Sequence, residues 1–203
     1  TKGAESVITT YRTESVRTAG GQRKGFRRVR TIGTESAATT SDRLGRPVSA
    51  ELPGQPAVAT TYDRAGRRLT WGSLGNETAY GYTSTGQLGT LTQPGVGAAT
   101  LAYTPEGWLA SVSLPNQVVR TASYDEGGRL GILTQTIDGA QGESWTAGRD
   151  EQGRVISVAA SDGTRQFGYR GGRLVRESRT GMDAALTLYR FDGAGNRIAE
   201  ATY

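Results

Sequence analysis

The sequence predicts an all-β protein built from tandem antiparallel hairpins, and three observations lead to that fold class. Gly accounts for 30 of the 203 residues while hydrophobic residues make up only 35%, which is typical of many short strands joined by turns. A phrase made of an aromatic residue, Asp, two variable residues and Gly returns along the chain. A second set of turn signals, such as Asp138-Gly139 and Asp162-Gly163, lies between successive copies.

The repeat is marked by the residue that follows the aromatic position. This marker falls at positions 42, 63, 83, 104, 125, 150, 170 and 192, with steps of 21, 20, 21, 21, 25, 20 and 22 residues. Eight copies at so regular a spacing do not arise by chance, so the repeat organises residues 41–203. Its structural positions are Tyr62, Asp63, Gly66, Tyr82, Gly86, Tyr103, Gly107, Tyr124, Asp125, Gly128, Asp150, Gly153, Tyr169, Gly172, Phe191, Asp192 and Gly195.

The chemistry of each copy predicts a hairpin turn. Asp at the first corner can accept hydrogen bonds from the backbone N–H groups ahead of it, and Gly can take the positive φ that closes a short loop. The aromatic residue and an aliphatic residue beyond the turn, such as Leu130, then meet across the hairpin as its small core. About a dozen strands follow from residue 62 to 203, with segments such as 154–160 and 186–191 rich in strand-forming residues. A ribbon about 60 Å wide is expected to curl.

The phrase Tyr-Asp-x-x-Gly-Arg, recurring at this period, resembles the YD repeat of the RHS family. That family includes bacterial RHS toxins, the C component of insecticidal Tc toxin complexes and the extracellular part of teneurins. The resemblance covers about residues 41–203. It implies a curled sheet that is part of a spiralling β-shell, which in the bacterial toxins encloses a toxic polypeptide. The partners it implies are further YD repeats of the parent chain and an encapsulated toxin polypeptide, in a secreted or cell-surface protein.

The resemblance has limits that the sequence itself sets. No counterpart of the family's conserved C-terminal core, with its Asp-Pro self-cleavage motif, is present, and no variable toxin domain follows it. Neither autoproteolysis nor toxicity is therefore transferred to this chain. The sequence starts without Met and ends within the repeat pattern at Tyr203, so we expect a fragment of a longer protein, a segment of wall.

The net charge of +5 is concentrated in a basic lead-in. Residues 1–40 hold eight basic and three acidic side chains, whereas residues 41–203 hold 16 of each sign. This lead-in is expected to form strands or a degenerate repeat. Arg27, Arg28 and Arg30 could contact an anion, a membrane surface or nucleic acid. The favoured interpretation is a solvated strand whose charges discourage edge pairing, which makes nucleic acid an unexpected partner.

Aromatic side chains suggest an alternative function, a carbohydrate-binding or cell-surface adhesion module. Most of the Tyr residues occupy the repeated hairpin position and are expected to pack there. Trp108 stands out because it replaces the usual Arg after Gly107, and it is the candidate contact for a surface glycan.

The composition excludes several kinds of chemistry. The chain contains no Cys and no His, which removes disulfides, thiolate zinc sites and Ser-His or Cys-His catalysis. The adjacent acids Asp125-Glu126 and Asp150-Glu151 lie in turns of the repeat, where Asp has a structural role. No apolar stretch is long enough for a membrane span. We therefore expect no enzyme, no catalytic residue, no cofactor and no metal.

Overall fold

Residues 9–181 and 183–203 are described by a computed structural model, which contains eighteen β-strands within those ranges and no helix. The all-β fold class and the antiparallel hairpins predicted from the repeat are confirmed. The strands are β1 (Thr9–Arg17), β2 (Arg23–Ile32), β3 (Glu35–Asp42), β4 (Pro47–Glu51), β5 (Val58–Tyr62), β6 (Arg68–Ser73), β7 (Asn76–Tyr82), β8 (Leu88–Gln93), β9 (Gly97–Tyr103), β10 (Leu109–Ser113), β11 (Val118–Tyr124), β12 (Leu130–Ile137), β13 (Ala140–Arg149), β14 (Val155–Ala160), β15 (Gly163–Arg170), β16 (Arg173–Arg179), β17 (Ala185–Phe191) and β18 (Arg197–Thr202).

The chain divides into two compact units, Thr1–Ala99 and Thr100–Tyr203. In the first unit, each strand from β1 to β7 pairs antiparallel with the next strand along the chain. In the second unit, the same holds from β9, which begins just before the boundary, through β18. Each unit is thus a meander of hairpins, in which short turns alternate between the two ends of the strands.

One irregularity recurs in every hairpin that carries the repeat turn. In β5 and β6, Tyr62 faces Arg68 and Thr61 faces Thr70, so Leu69 is an extra residue in a β-bulge. The register shifts at the equivalent place in nine hairpins, from β1–β2 to β17–β18. A bulge bends its strand and increases the local right-handed twist, so every copy contributes the same local bend.

The hairpins bury little apolar surface. Among the described residues, Ala38 is the only hydrophobic residue that is fully buried, at 6% exposure. Leu109 and Leu130 face Tyr103 and Tyr124 across their hairpins as predicted, yet they remain 36% and 39% exposed. The expected small core of these hairpins is therefore half open to solvent, because no second layer of the described residues covers these side chains.

The basic lead-in forms strands of the same kind. Residues 9–42 make up β1, β2 and β3, and the hairpin between β1 and β2 carries the bulge described above. The turn between them, at residues 18–22, lies where a further copy of the repeat would lie. Within the described ranges, no helix is long and apolar enough to cross a membrane.

Candidate functional site

The repeated turn is held by its Asp side chain, and the copy at residues 62–67 shows how. The Asp63 N–H donates to the Arg67 carbonyl at 2.9 Å, and the Gly66 N–H donates to the Asp63 carbonyl at 3.1 Å. The Asp63 carboxylate then accepts from the Arg67 N–H at 2.8 Å and from Arg67 Nε at 2.7 Å. Gly66 has φ 85°, a left-handed conformation that Gly adopts without steric cost. The Asp and Gly of the motif are thus explained by one turn.

Other copies keep this geometry with small changes of residue. The same carboxylate bonds join Asp42 to Arg46, Asp125 to Arg129 and Asp150 to Arg154. In the copy at 83, the Thr83 hydroxyl replaces the carboxylate and accepts the N–H of Gln87 at 3.1 Å, and Asn196 donates to Asp192 in the copy at 192. The copy at 170 closes instead on two left-handed glycines, Gly171 and Gly172.

Hydrogen bonding stabilises the charged form of these carboxylates. The side chain of Arg67 holds the pKa of Asp63 below its usual value, the backbone N–H of Arg129 does so for Asp125, and the side chain of Asn196 does so for Asp192. For Asp42 and Asp150, loss of hydration raises the pKa, but hydrogen bonds from the arginine of the same turn outweigh it and leave the pKa lowered.

The arginine of each turn also reaches the next copy. The guanidinium of Arg67 lies 4.4 Å from the centre of the Tyr82 ring, and the Tyr82 hydroxyl donates to the carbonyl of Arg68 at 2.7 Å. These two copies are therefore joined by a cation–π contact and a hydrogen bond to the backbone. We call this series of contacts the repeat ladder. Its other stacked pairs are Arg46–Tyr62 at 4.6 Å, Arg154–Tyr169 at 4.8 Å and Arg173–Phe191 at 5.9 Å, and its other hydroxyl bonds run from Tyr62, Tyr124 and Tyr169 to Pro47, Leu109 and Val155.

Trp108, the candidate glycan contact, occupies the arginine position of this ladder. Its ring centre lies 5.2 Å from that of Tyr124, tilted by 49°, and its edge lies where a Cβ on Gly128 would be, 2.5 Å away. The residue that departs from the repeat thus packs on the next copy as the arginines do. Glycan contact at Trp108 stays a prediction, and the ring already contacts Tyr124.

Arg149 occupies the aromatic position of the copy at 150. Its guanidinium donates to the Leu130 carbonyl at 3.0 Å and to the Gly153 carbonyl at 3.1 Å. The first of these bonds replaces the tyrosine hydroxyl bond of the other copies. Nε of Arg149 is buried without a partner in the described structure, so arginine reproduces the contact to the preceding copy but leaves one polar atom unsatisfied.

Sequence reasoning missed one copy of the turn. The Thr18 N–H donates to the Gln22 carbonyl at 2.8 Å, the Gly21 N–H donates to the Thr18 carbonyl at 2.9 Å, and the Gln22 N–H reaches the Thr18 hydroxyl at 3.1 Å. Arg17 donates to the Gly21 carbonyl at 2.8 Å, as Arg149 does to Gly153. The signal was the Thr-x-x-Gly-Gln spacing that this turn shares with residues 83–87.

The three basic residues of the candidate anion site do not converge. Arg27 is bound to Glu51 at 2.7 Å, whereas Arg28 and Arg30 lie on the other face of β2, since successive strand residues point to opposite faces. Arg30 is opposite Tyr11 and Ala37 in the register. Anion binding by this strand stays a prediction, with two arginines rather than three available to one ligand. Residues 1–8 of the basic lead-in, which include Lys2, lie outside the described residues.

The described residues contain no group of three or more acidic side chains placed to hold a metal ion. The adjacent acids of the sequence keep to their turns: the Asp125 and Asp150 carboxylates are engaged by arginine, and Glu126 and Glu151 are exposed.

Comparison with known proteins gives structural neighbours only. No protein-family model and no curated protein matches the sequence. A solved Photorhabdus luminescens Tc holotoxin pore with a mutant TccC3 aligns with 97% of this chain at a TM-score of 0.68 and 17% identity. A TcdB2–TccC3 structure without the hypervariable C-terminal region aligns with 94% at a TM-score of 0.67 and 13% identity.

These neighbours share the fold of this chain. The chain spans only 14% and 11% of the two matched chains. The likeness confirms the fold expected from the YD-repeat resemblance, since Tc toxin complexes were among the proteins to which that resemblance pointed.

Proposed function

We propose that this chain is a wall segment of a YD-repeat shell that encloses a polypeptide, such as a toxin, in a secreted or cell-surface protein, and that it has no enzymatic role. The observation that carries the proposal is the repeat ladder. The turn, the bulge and the contact to the next copy recur with small changes of residue, while Ala38 is the only fully buried hydrophobic residue in the part of the chain that the structure describes. Such a chain is organised to extend a surface.

The energetics of the ladder support a wall. A globular domain is stabilised mainly by an apolar core, and the described residues do not form one. Here the specific contacts run from each copy to the next, as from Arg67 to Tyr82, which is how repeat arrays gain stability from nearest neighbours. A sheet stabilised in this way suits the wall of a shell, which separates the enclosed space from the solvent outside.

The terminal strands support further repeats as partners. All six residues of β18 are exposed, and β18 pairs only with β17 among the described strands. An unpaired edge of this length invites another strand. Additional hairpins of the same parent chain would satisfy it without any new kind of contact.

The cargo is inferred from resemblance. The neighbouring structures are described as Tc toxin assemblies, one of them without a hypervariable C-terminal region. By analogy, a polypeptide carried in the same or an associated chain would occupy the enclosed space.

The proposal is tested on the full-length product of the gene that encodes this chain. Electron cryo-microscopy should show these hairpins continuing into a longer sheet around a cavity that holds a polypeptide, and that polypeptide should resist a non-specific protease. The double variant Asp63→Ala/Asp150→Ala should release it to digestion at a lower temperature, whereas Asp162→Ala, in a turn at the other strand ends, should not. Repeats wrapped around a filled apolar core, or an empty interior, would refute the proposal.

A further inference from the structure

The first strands of the chain distribute their charges unevenly between the two faces of the sheet. Arg12 and Glu14 lie on one face together with Arg27, since alternate residues of a strand share a face and Arg27 is opposite Glu14 in the register. On this face Arg12 is bound to Glu14, and Arg27 is bound to Glu51. Each of these two arginines therefore has an acidic partner.

The opposite face carries arginines that lack such a partner. Arg28 and Arg30 lie there, opposite Thr13 and Tyr11 of β1, and both are exposed. Neither makes a hydrogen bond or ion pair with any residue that the structure describes. Glu35 is the one acidic residue that β1 to β3 place on this face, at its far end opposite Ile32. Positive charge is therefore left without a counterpart on this side of the three strands.

A third guanidinium extends this set along β2. The guanidinium carbon of Arg23 lies 3.8 Å from the centre of the Phe26 ring, and Phe26 shares its face with Arg28 and Arg30. Three guanidinium groups thus follow the strand at the positions of residues 26, 28 and 30. Alternate residues of a strand are about 6.6 Å apart. We call Arg23, Arg28 and Arg30 the arginine row.

The surroundings of the arginine row leave it accessible. Arg28 lies between Thr13 and Thr39 on the neighbouring strands, and Arg30 lies beside Tyr11. The two threonines are short, and their hydroxyl groups can donate or accept further hydrogen bonds. Tyr11 is 76% exposed. A ligand that lies along β2 can therefore reach the guanidinium groups from solvent.

We propose that the arginine row binds an extended acidic segment of a polypeptide in which Asp or Glu alternates with other residues. In an extended peptide, alternate side chains point to the same side at about the spacing of the row itself. Each carboxylate can then meet one guanidinium through two parallel hydrogen bonds. Charge complementarity selects an acidic partner over a neutral or basic one. The inference stands independently of the proposed shell.

A single-stranded nucleic acid fits the arginine row less well. Proteins hold such strands on aromatic side chains, on which successive bases stack beside a basic track. On this face Tyr11 is at one end, and the Phe26 ring is already covered by Arg23. The side chains between them on β1 and β3 are small or hydroxylic. The described part of this face therefore offers no series of rings along the row, which favours the peptide.

The test compares two peptides of one composition. Acetyl-Thr-Glu-Thr-Glu-Thr-Glu-Thr-amide places its carboxylates on one side of an extended chain, whereas acetyl-Glu-Thr-Thr-Glu-Thr-Thr-Glu-amide divides them between both sides. Each is titrated into the isotope-labelled 203-residue chain, and affinities are obtained from changes in NMR shift. The alternating peptide should bind about fivefold more tightly or better. It should shift the amide signals of β1 to β3, and its affinity should fall as the ionic strength rises.

Matched variants separate the arginine row from charge in general. Arg28→Gln/Arg30→Gln should weaken the alternating peptide about tenfold, to the affinity of the other peptide. Arg12→Gln/Arg27→Gln makes the same change of charge on the opposite face of the same strands and should alter the affinity by about twofold or less. Because Arg28 and Arg30 are exposed, their variant should keep the melting temperature of the parent, which thermal melts check.

Three results would overturn the proposal. They are equal affinity for the two peptides, equal losses in the two double variants, and tighter binding of an oligothymidylate of seven nucleotides than of the alternating peptide. None of them bears on the proposed shell, which is tested on the full-length protein.

Discussion

The two ends of the strands follow different rules. At one end, the described hairpins from residue 18 to residue 196 repeat nearly one turn, and within each unit turns such as those at Asp42, Asp63 and Asp150 contact the next copy through the repeat ladder. At the other end, the connections range from two residues at Asp138-Gly139 to the longer segment 52–57. One opposite turn, at residues 114–118, adopts the same hydrogen-bond pattern with Gln117 at φ 62°. The turns at the ladder end are therefore not alike merely because they close hairpins, since the hairpin turns at the opposite end differ from one another.

The difference shows where the chain is constrained. The ladder end keeps one geometry because the residue after each repeat Gly, most often arginine, contacts the next copy, as Arg67 contacts Tyr82. The opposite end needs only to reverse the chain, so its turns are free to vary in length. The following variants test that contrast.

The largest effect is expected from Gly163→Ala, at the variable end. A Cβ on Gly163 would lie 1.9 Å from the Thr180 carbonyl oxygen, and φ is 144°. Backbone on both sides cannot move aside, so we expect a loss of about 3 kcal/mol or more in the free energy of unfolding, measured with urea. Gly139→Ala is the control, with open space around it and an expected loss of about 1 kcal/mol. Equal losses would show that Gly163, where β15 begins, is not packed tightly against Thr180 in the turn between β16 and β17.

Acid is expected to weaken the ladder end selectively. The pKa values of Asp42, Asp63, Asp125, Asp150 and Asp192 are lowered in the folded chain. Their stabilisation is therefore complete above the ordinary value of 3.8 and is lost as the pH falls below it through the folded pKa values. Melting temperatures measured from pH 6 to pH 2 should drop below about pH 4. The variant Asp63→Asn/Asp150→Asn should show a shallower drop, and an identical profile would contradict this assignment.

Removing a single turn carboxylate tests the ladder directly. Asp63→Ala deletes the bonds to Arg67. Because these bonds hold the guanidinium over the Tyr82 ring, we expect the melting temperature to fall by about 2–4 °C. Asp162→Ala removes an exposed carboxylate for which no side-chain bond occurs in the described structure and should leave the melting temperature unchanged. A comparable fall in both variants would remove the distinction between the two ends.

Trp108 provides a natural exchange within the ladder. Trp108→Ala removes the contact with Tyr124 and should cost about 1–2 kcal/mol in the free energy of unfolding. Trp108→Arg restores the residue of the other copies and should recover most of that loss. If arginine is no better than alanine, the position is not equivalent to Arg67.

The smallest effect is expected at Arg149. Arg149→Tyr places an aromatic ring under Arg129 and removes a buried Nε that has no partner, so the chain should gain about 1 kcal/mol or less. Arg149→Gln, which removes the bonds to Leu130 and Gly153 without adding a ring, should lose stability. Thermal melts of the three proteins give the order, and a tyrosine variant less stable than the parent would contradict the ladder.

Much of the fold follows from local chemistry. Asp-x-x-Gly and the residue after it specify the turn from five consecutive residues, so each such copy and the strands on either side were predictable. The copy at residues 18–22 was missed because it lacks the aromatic residue as well as Asp and Arg: Arg17 stands at the aromatic position, and Thr18 and Gln22 make the bonds of the turn. The bulge was also missed, since it places Leu69 and Ile198 outside the register where an aliphatic partner was expected.

The all-β class, the period of the hairpins and the role of Asp and Gly in them follow from the sequence, because these depend on residues within one turn. Only the tertiary structure decided what the arginines do, since Arg67 meets Tyr82 through the pairing of separate strands. It also decided that Trp108 and Arg149 are variants of one ladder, because their contacts are made with neighbouring copies, and which arginines of β2 lack an acidic partner, because strand pairing sets the face on which each acidic side chain lies.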